Sequence, residues 1–366
     1  MNADPAKSRL SIEPVFGTNA LLEPVQDLSE GRIAASKLVS KYSYTTNMLR
    51  FFIILCLVVF GRAQAESVEG ARAWLDAMAR ALRETSFQGE VAYFRDNKIE
   101  TMSVFHSVSE GVVHERMVTL NGPVREIVRD ADKVTCYFPD TQTVVLKNNT
   151  VPSVIFSGLP NNLDNSEERY SFNLKLIDRV AQRETQIVSI EPKDNLRYSR
   201  KIWIDVSTKL PLRYQLLDEE LRAIEQMVFL SVEMLPPSHE MKVRTEPVRL
   251  KTRSSGARKR LPQKKGIENW RLGVIPAGFK QVFHRQDQPL GSTDSIEHIL
   301  LSDNFSSVSI YIDRSEELSS LPHERRIGAI SSYSRVTDGF IVTVMGEVPL
   351  KTVRMIADGL SYMGPD

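Results

Sequence analysis

Gly89 to Val108 reads GEVAYFRDNKIETMSVFHSV, and these twenty residues decide the fold class. They are rich in β-branched and aromatic side chains and change character every second residue. Arg95-Asp96-Asn97 interrupts the pattern as a turn would. The reading is two strands, Gly89–Arg95 and Glu100–Val108. Nine more strand candidates follow at short intervals: Val112–Leu120, Val124–Arg129, Val134–Phe138, Thr143–Leu146, Ser171–Leu176, Thr185–Glu191, Arg197–Asp205, Leu212–Leu217 and Ile224–Val232. Asn121-Gly122-Pro123 and Pro139-Asp140 punctuate them. So many strands in succession, with few helices, predict one large antiparallel sheet.

Before this run the period is that of a helix. Trp74, Ala77, Met78, Ala81 and Leu82 fall on one apolar stripe. Val151–Leu163 is looser and could be helical, with Phe156 and Leu159 as apolar points. Beyond Pro236-Pro237 the composition changes. Lys242 to Lys265 holds ten Lys/Arg and a single acid, Glu246. Such a stretch buries little and reads as a mobile linker. Order is expected again at Ile267. There Ile296–Leu301 and Val308–Ile312 flank Ser302-Asp303-Asn304, and Ala329–Val336 and Phe340–Met345 flank Asp338-Gly339, a two-residue hairpin signal. Pro349 then opens a helix with Val353, Ile356, Ala357 and Leu360 on one face.

Upstream, Met48-Leu49-Arg50 precedes ten apolar residues, Phe51 to Phe60, and then Ala63-Gln64-Ala65. The run is about half of the ~20 apolar residues a spanning helix needs. It reads as a secretory signal with cleavage after Ala65. Residues 1–47 precede that signal and read as irregular sequence, with Met48 as the expected start. The division is therefore an extension at 1–47, a signal at 48–65, a large domain at 66–235, a basic linker at 236–266 and a small domain at 267–366. The fold class is α+β and mostly antiparallel β.

The chain has 366 residues, 25% charged, with net charge +1. No global field argues for nucleic acid. Cys136 is the single cysteine after the signal, so no internal disulfide forms there. His114, His239 and His323 each precede Glu, but none has a second His four residues on. That spacing is what a zinc protease helix needs. There is no Gly-x-Ser-x-Gly elbow, phosphate loop or dinucleotide fingerprint. Paired acids such as Glu167-Glu168 and Glu219-Glu220 would point to opposite faces of a strand. The expectation is a protein that is not an enzyme and takes no cofactor or metal.

Several fragments together resemble the MucB/RseB family. They are Gly89-Glu90-Val91-Ala92-Tyr93, Glu115-Arg116, Leu120 to Glu126, Cys136 to Asp140, Arg197-Tyr198, Trp203-Ile204-Asp205, Leu210 to Arg213 and Leu217-Asp218. Trp270, Pro276-Ala277-Gly278-Phe279, Ser302-Asp303, Gly346 to Pro349 and Ile356-Ala357-Asp358 continue the likeness. Three places depart from it. Arg95-Asp96-Asn97 stands where an Arg-Gly turn is common, Asn304 where Gly follows Asp, and Arg183-Glu184 differs from the usual Ala-Gly-Arg.

The resemblance implies a periplasmic negative regulator of sigma-E, active in the envelope stress response. Such a protein binds the periplasmic domain of a membrane anti-sigma factor, RseA-like or MucA-like, and shields it from proteolysis. It implies a half-open barrel like that of lipoprotein carriers, and relief by lipopolysaccharide or lipoprotein acyl chains. The competing class is a lipid or lipoprotein carrier. Monomer and homo-oligomer both stay open. An incomplete sheet leaves a concave apolar face. Its candidate lining residues are Tyr170, Phe172 and Leu174 on one strand, Leu212, Tyr214 and Leu216 on another, and Phe156 and Leu159 as a lid. Plain core is the competing reading of all eight. Arg258-Lys259-Arg260 is the candidate contact for phosphates or an acidic partner segment, or else a solvated hinge.

Overall fold

In the computed structural model the described residues are 70–130, 133–137, 144–147, 155–156, 159, 163, 165–236, 270–287, 296–313 and 322–364. The extension, the signal and the linker beyond Pro236, including Arg258, Lys259 and Arg260, lie outside them. The described residues all belong to one compact unit, Ala63–Asp366.

Residues 70–84 form helix α1. Its buried side chains are Ala71, Leu75, Met78 and Ala81, while Trp74 and Leu82 are partly covered. The stripe is thus rotated slightly from the expected one, and Ala77 lies at its margin. Eleven strands follow: β1 (Phe87–Arg95), β2 (Lys98–Ser109), β3 (Val112–Thr119), β4 (Glu126–Asp130), β5 (Lys133–Tyr137), β6 (Val144–Lys147), β7 (Tyr170–Val180), β8 (Arg183–Pro192), β9 (Ser199–Asp205), β10 (Pro211–Leu217) and β11 (Ala223–Met234). All eleven strand candidates of the large block are present, with boundaries moved by a few residues.

They form one antiparallel sheet in the order β6-β5-β4-β3-β2-β1-β11-β10-β9-β8-β7. The chain meanders out to β6, restarts at the far edge with β7, and returns until β11 pairs with β1. β6 and β7 stay unpaired with each other, so the barrel is only half closed. Gly89 lies where β1 passes close to β11. A Cβ there would collide with the Ser231 carbonyl, so only glycine fits. The concave face carries the core: Phe87, Val91, Val104, Phe172, Val188, Ile190, Ile202, Leu212 and Phe229 pack with α1.

The departures from the family pattern are resolved by backbone geometry. Asp96 and Asn97 have φ of 50° and 58°, the left-handed pair a tight hairpin needs. Asn304 has φ 79° and takes the conformation a glycine would. In the third case the turn falls on Ala181 and Gln182, φ 48° and 63°, just before Arg183-Glu184. Gln182 is exposed. Left-handed geometry costs a non-glycine residue about 1–2 kcal/mol. Gln182→Gly is therefore expected to raise stability by about 1 kcal/mol in urea unfolding, offset in part by a freer unfolded chain. A loss of stability would show that the turn is not strained.

The second sheet has six strands in the order β13-β14-β15-β18-β17-β16. Their spans are β13 (Lys280–Asp287), β14 (Ile296–Ser302), β15 (Ser307–Asp313), β16 (His323–Ile327), β17 (Ile330–Thr337) and β18 (Phe340–Gly346). A separate pair, β12 (Trp270–Leu272) and β19 (Leu360–Tyr362), lies at its side. Helix α2 (Leu350–Asp358) buries Thr352, Val353, Ile356 and Ala357. Pro349 is its N-cap and not its first helical residue, and Leu360 begins β19 and is not helical. Arg335 donates to the carbonyls of Ala357 and Leu360 at 2.9 and 2.7 Å, satisfying acceptors at the helix C-terminus. Trp270, Ile299, Leu301, Val308, Ile310, Val342, Val344 and Ile356 form a separate core.

Candidate functional site at the junction of the two sheets

A buried polar arrangement lies where the second sheet meets the first. It is centred on the β14–β15 turn. Asp303 Oδ1 accepts the backbone N–H groups of Phe305 and Ser306 at 3.0 and 2.8 Å, which shapes the turn from within. Its Oδ2 accepts from Tyr170 Oη at 2.8 Å and Arg197 Nε at 2.5 Å, both on the first sheet's side. The Arg197–Asp303 pair is wholly buried. Arg197 also binds the Asp194 carboxylate and the Ala277 carbonyl, and its guanidinium lies 5.0 Å from the Phe279 ring centroid.

Arg200 is 0% exposed and is the largest fully buried side chain described. It donates to the Phe305 carbonyl at 2.6 Å and the Ser306 hydroxyl at 3.2 Å. Glu347 lies 4.0 Å away. Burial alone would lower the Arg200 pKa, but Tyr214, Tyr170, Glu347 and Asp303 around it raise it overall, so it stays charged. Burial pushes the Glu347 carboxyl up. Burial, then the Asp303 charge, pushes the Tyr170 phenol up, which keeps it a hydrogen-bond donor.

A second contact point completes the junction. Ala329 N–H donates to Glu225 Oε1 at 3.0 Å, and Tyr93 Oη donates to Oε2 of the same carboxylate at 2.6 Å. Gly328 N–H donates to Asp96 at 2.7 Å, so the β1–β2 turn also touches the second sheet. Thr352 at the start of α2 donates to the Leu196 carbonyl at 2.8 Å.

The eight expected lining residues are distributed as follows. Tyr170, Phe172, Leu212, Phe156 and Leu159 lie in the large core, at 1, 0, 0, 4 and 8% exposure. Leu174 packs at its margin, against the start of α1. Leu216 belongs to a different cluster, with Tyr198 and Ala329, and Tyr214 bridges the two. One face of β10 thus runs from the concave core into the junction. A cavity of about 300 Å³ lies elsewhere, at the tips of β2 to β4, lined by Lys98, Ile99, Asn121, Pro123 and Arg125 among others. Among the described residues no His, Cys, Asp or Glu group has metal-binding geometry.

Sequence reading did not single out Arg197, Arg200, Asp303, Glu225 or Glu347 as site residues. A signal existed. Arg197-Tyr198, Pro276 to Phe279, Ser302-Asp303 and Gly346 to Pro349 were separate fragments of the resemblance, and they meet here in space.

These buried polar groups hold the two sheets of one chain together. Comparison with known proteins agrees with the sequence resemblance. The MucB/RseB N-terminal domain matches residues 70–249 and the MucB/RseB C-terminal domain matches 264–361. The chain belongs to the MucB/RseB family. It is 25% identical to the sigma-E factor regulatory protein RseB of Salmonella typhimurium over 309 residues, 83% of this chain and 94% of that protein. It is 26% identical to the sigma factor AlgU regulatory protein MucB of Pseudomonas aeruginosa over 314 residues, 83% and 95% respectively. In fold it is similar to MucB crystallised with MucA(peri), with a TM-score of 0.62 at 23% identity, covering 81% of this chain and all of that one.

Proposed function

We propose that this chain is an exported, periplasmic regulator that binds the periplasmic region of a membrane anti-sigma factor and shields it from regulated proteolysis. The observation that carries this reading is that both family domains match, in order, across one continuous chain. The relatives are named as sigma-factor regulatory proteins, and MucB was crystallised with MucA(peri). Export rests on the sequence at Met48 to Ala65, with cleavage after Ala65. The two docking modules are residues 66–235 and 267–366, with 236–266 between them. Arg258-Lys259-Arg260 would speed encounter with an acidic partner segment or with phosphates more than it adds final affinity.

A role for lipopolysaccharide or lipoprotein acyl chains is part of this proposal in a restricted form. Tyr170, Phe172, Leu212 and Leu216 are at most 1% exposed, so an acyl chain reaches them only after something moves, whereas Leu174 and Tyr214 are only partly covered. Phe156 and Leu159, themselves buried in that core, remain the candidate lid of this proposal. A transport role would need a standing groove, and this burial weighs against one.

The test is a cleavage assay. The partner's periplasmic segment and its protease are mixed with and without this protein. Cleavage is expected to slow at least tenfold once the protein is in excess of a micromolar-range dissociation constant, an order-of-magnitude figure for a specific interface. Unchanged cleavage by a folded sample would refute the shielding role.

A further inference from the structure

Phe305 belongs to the second sheet's β14–β15 turn, yet its ring is packed in the first sheet's core. It is 7% exposed, and its centroid lies 4.5 Å from Tyr170 and 6.2 Å from Phe172. Among the described residues, no other side chain from beyond Pro236 joins that core. One aromatic ring therefore closes the Tyr170 end of the concave face.

Around that ring the first sheet is shaped to receive the turn. Tyr170 and Arg197 read the Asp303 carboxylate. Arg200 reads the carbonyl of Phe305 and the hydroxyl of Ser306. The turn also has bonds of its own that do not depend on these contacts, from the Phe305 and Ser306 N–H groups to Asp303 Oδ1 and from the Ser302 hydroxyl to the Ser306 carbonyl. A preformed turn seated on preformed donors has the anatomy of a ligand in its site. The rest of the junction is mostly polar: Glu225 to Ala329, Asp96 to Gly328, Thr352 to Leu196 and Lys351 to Glu219. The small Tyr198, Leu216 and Ala329 cluster is a second apolar contact among the described residues. Interfaces of this polar character within a chain are of the kind that separate.

We propose that the Asp303–Ser306 turn is an intramolecular ligand, a releasable plug that occupies a receptor site formed by Tyr170, Phe172, Arg197 and Arg200. The site recognises a peptide turn with an acidic residue two positions before an aromatic one. Undocking of the second sheet vacates the site and opens the adjoining end of the concave core. Plugged and open forms are then mutually exclusive, and whatever binds the vacated site favours the open form by its differential affinity. This inference concerns geometry within the chain and stands or falls independently of the anti-sigma partner.

The experiment uses the chain from Glu66 onward with Cys136→Ser, and spin labels at Leu230→Cys and Val282→Cys, both exposed positions on different sheets. Pulsed dipolar spectroscopy of the parent is expected to give one dominant distance. Asp303→Asn, which removes the charge of a buried pair, and Phe305→Ala, which empties a buried aromatic position, are each expected to raise the open-to-plugged ratio by about a hundredfold. Phe305→Leu should stay mostly plugged. A peptide of sequence SDNFSS should bind the Phe305→Ala protein, and SDNASS should not. An unchanged distance distribution in both folded variants, or equal binding of the two peptides, overturns the proposal. Should either variant fail to fold, amide exchange on the parent decides. Gly328 and Ala329 N–H groups, both bonded across the junction, are expected to exchange through an opening shared by both, at least tenfold faster than Val308 and Val344 in the sheet. Exchange of all four at one rate would mean that the plug leaves only on global unfolding.

Discussion

Phe87→Ala is expected to lower the unfolding free energy by about 3–5 kcal/mol, the usual range for a fully buried phenylalanine. Phe87 is 0% exposed and begins β1, the strand that joins the two halves of the sheet. Its ring stacks on His106 at 4.7 Å and 13°, meets Phe229 edge-on at 6.0 Å, and lies 6.3 Å from Phe156. It therefore touches β2, β11 and the segment over the concave face at once. Truncation removes the ring's transfer free energy and leaves a cavity that three different elements would have to collapse together to fill. Against an ordinary stability of about 5–15 kcal/mol, such a change removes a large fraction of the reserve. Urea unfolding followed by far-UV dichroism checks it. A loss below about 1 kcal/mol would mean that the aromatic cluster is loosely packed and that the large core is centred elsewhere.

Much of this architecture could be read from the residues, and the reasons for the gaps are physical. Every strand of the large sheet showed itself, because an antiparallel sheet with one covered face writes a period of two into the chain. β16 did not. His323-Glu324-Arg325-Arg326-Ile327 is exposed at all five positions, so this edge strand has no buried face to leave a pattern. β12 and β19 are three residues each, too short for any period, and are held as strands by pairing Trp270 with Tyr362. β13 is also an edge, and Val282 points outward.

The junction was hidden for a different reason. Asp303 and Arg197 are 106 residues apart, and no local pattern relates a turn aspartate to an arginine that precedes a strand. Polar residues normally read as surface, yet Asp303 and Arg197 are 4 and 2% exposed. Only pairing permits that burial. Alternation did place Leu212, Tyr214 and Leu216 on one face of β10. It could not tell that the second sheet covers the Leu216 end, since that cover comes from Ala329.

Glu115→Ala is expected to cost about 3–5 kcal/mol, while Glu167→Ala costs under about 1 kcal/mol, although the second residue makes the shorter ion pair. Glu167 lies 2.5 Å from Arg72, but both side chains are largely open to water, 52 and 30% exposed. Solvent screens that attraction, and two long side chains lose entropy in making it. Glu115 is 0% exposed. It accepts from His106 Nδ1 at 3.1 Å and lies 3.6 Å from Arg129. The other nitrogen of His106 faces the Leu82 carbonyl at 2.9 Å, in the last turn of α1. Both ring nitrogens thus face acceptors, and the imidazole connects α1 to β3 through β2. Removing the carboxylate takes away one acceptor inside the protein, where water does not replace it. Glu115→Gln keeps the volume and an accepting oxygen and should recover more than half of the loss. The consequence extends to α1, whose Ala71, Leu75 and Met78 cover the concave face. Amide exchange in the last turn of α1 should therefore quicken in Glu115→Ala and not in Glu167→Ala. Equal losses in the two alanine variants, or exchange in α1 that ignores Glu115, would show that the His106 bridge does not hold the helix over the sheet.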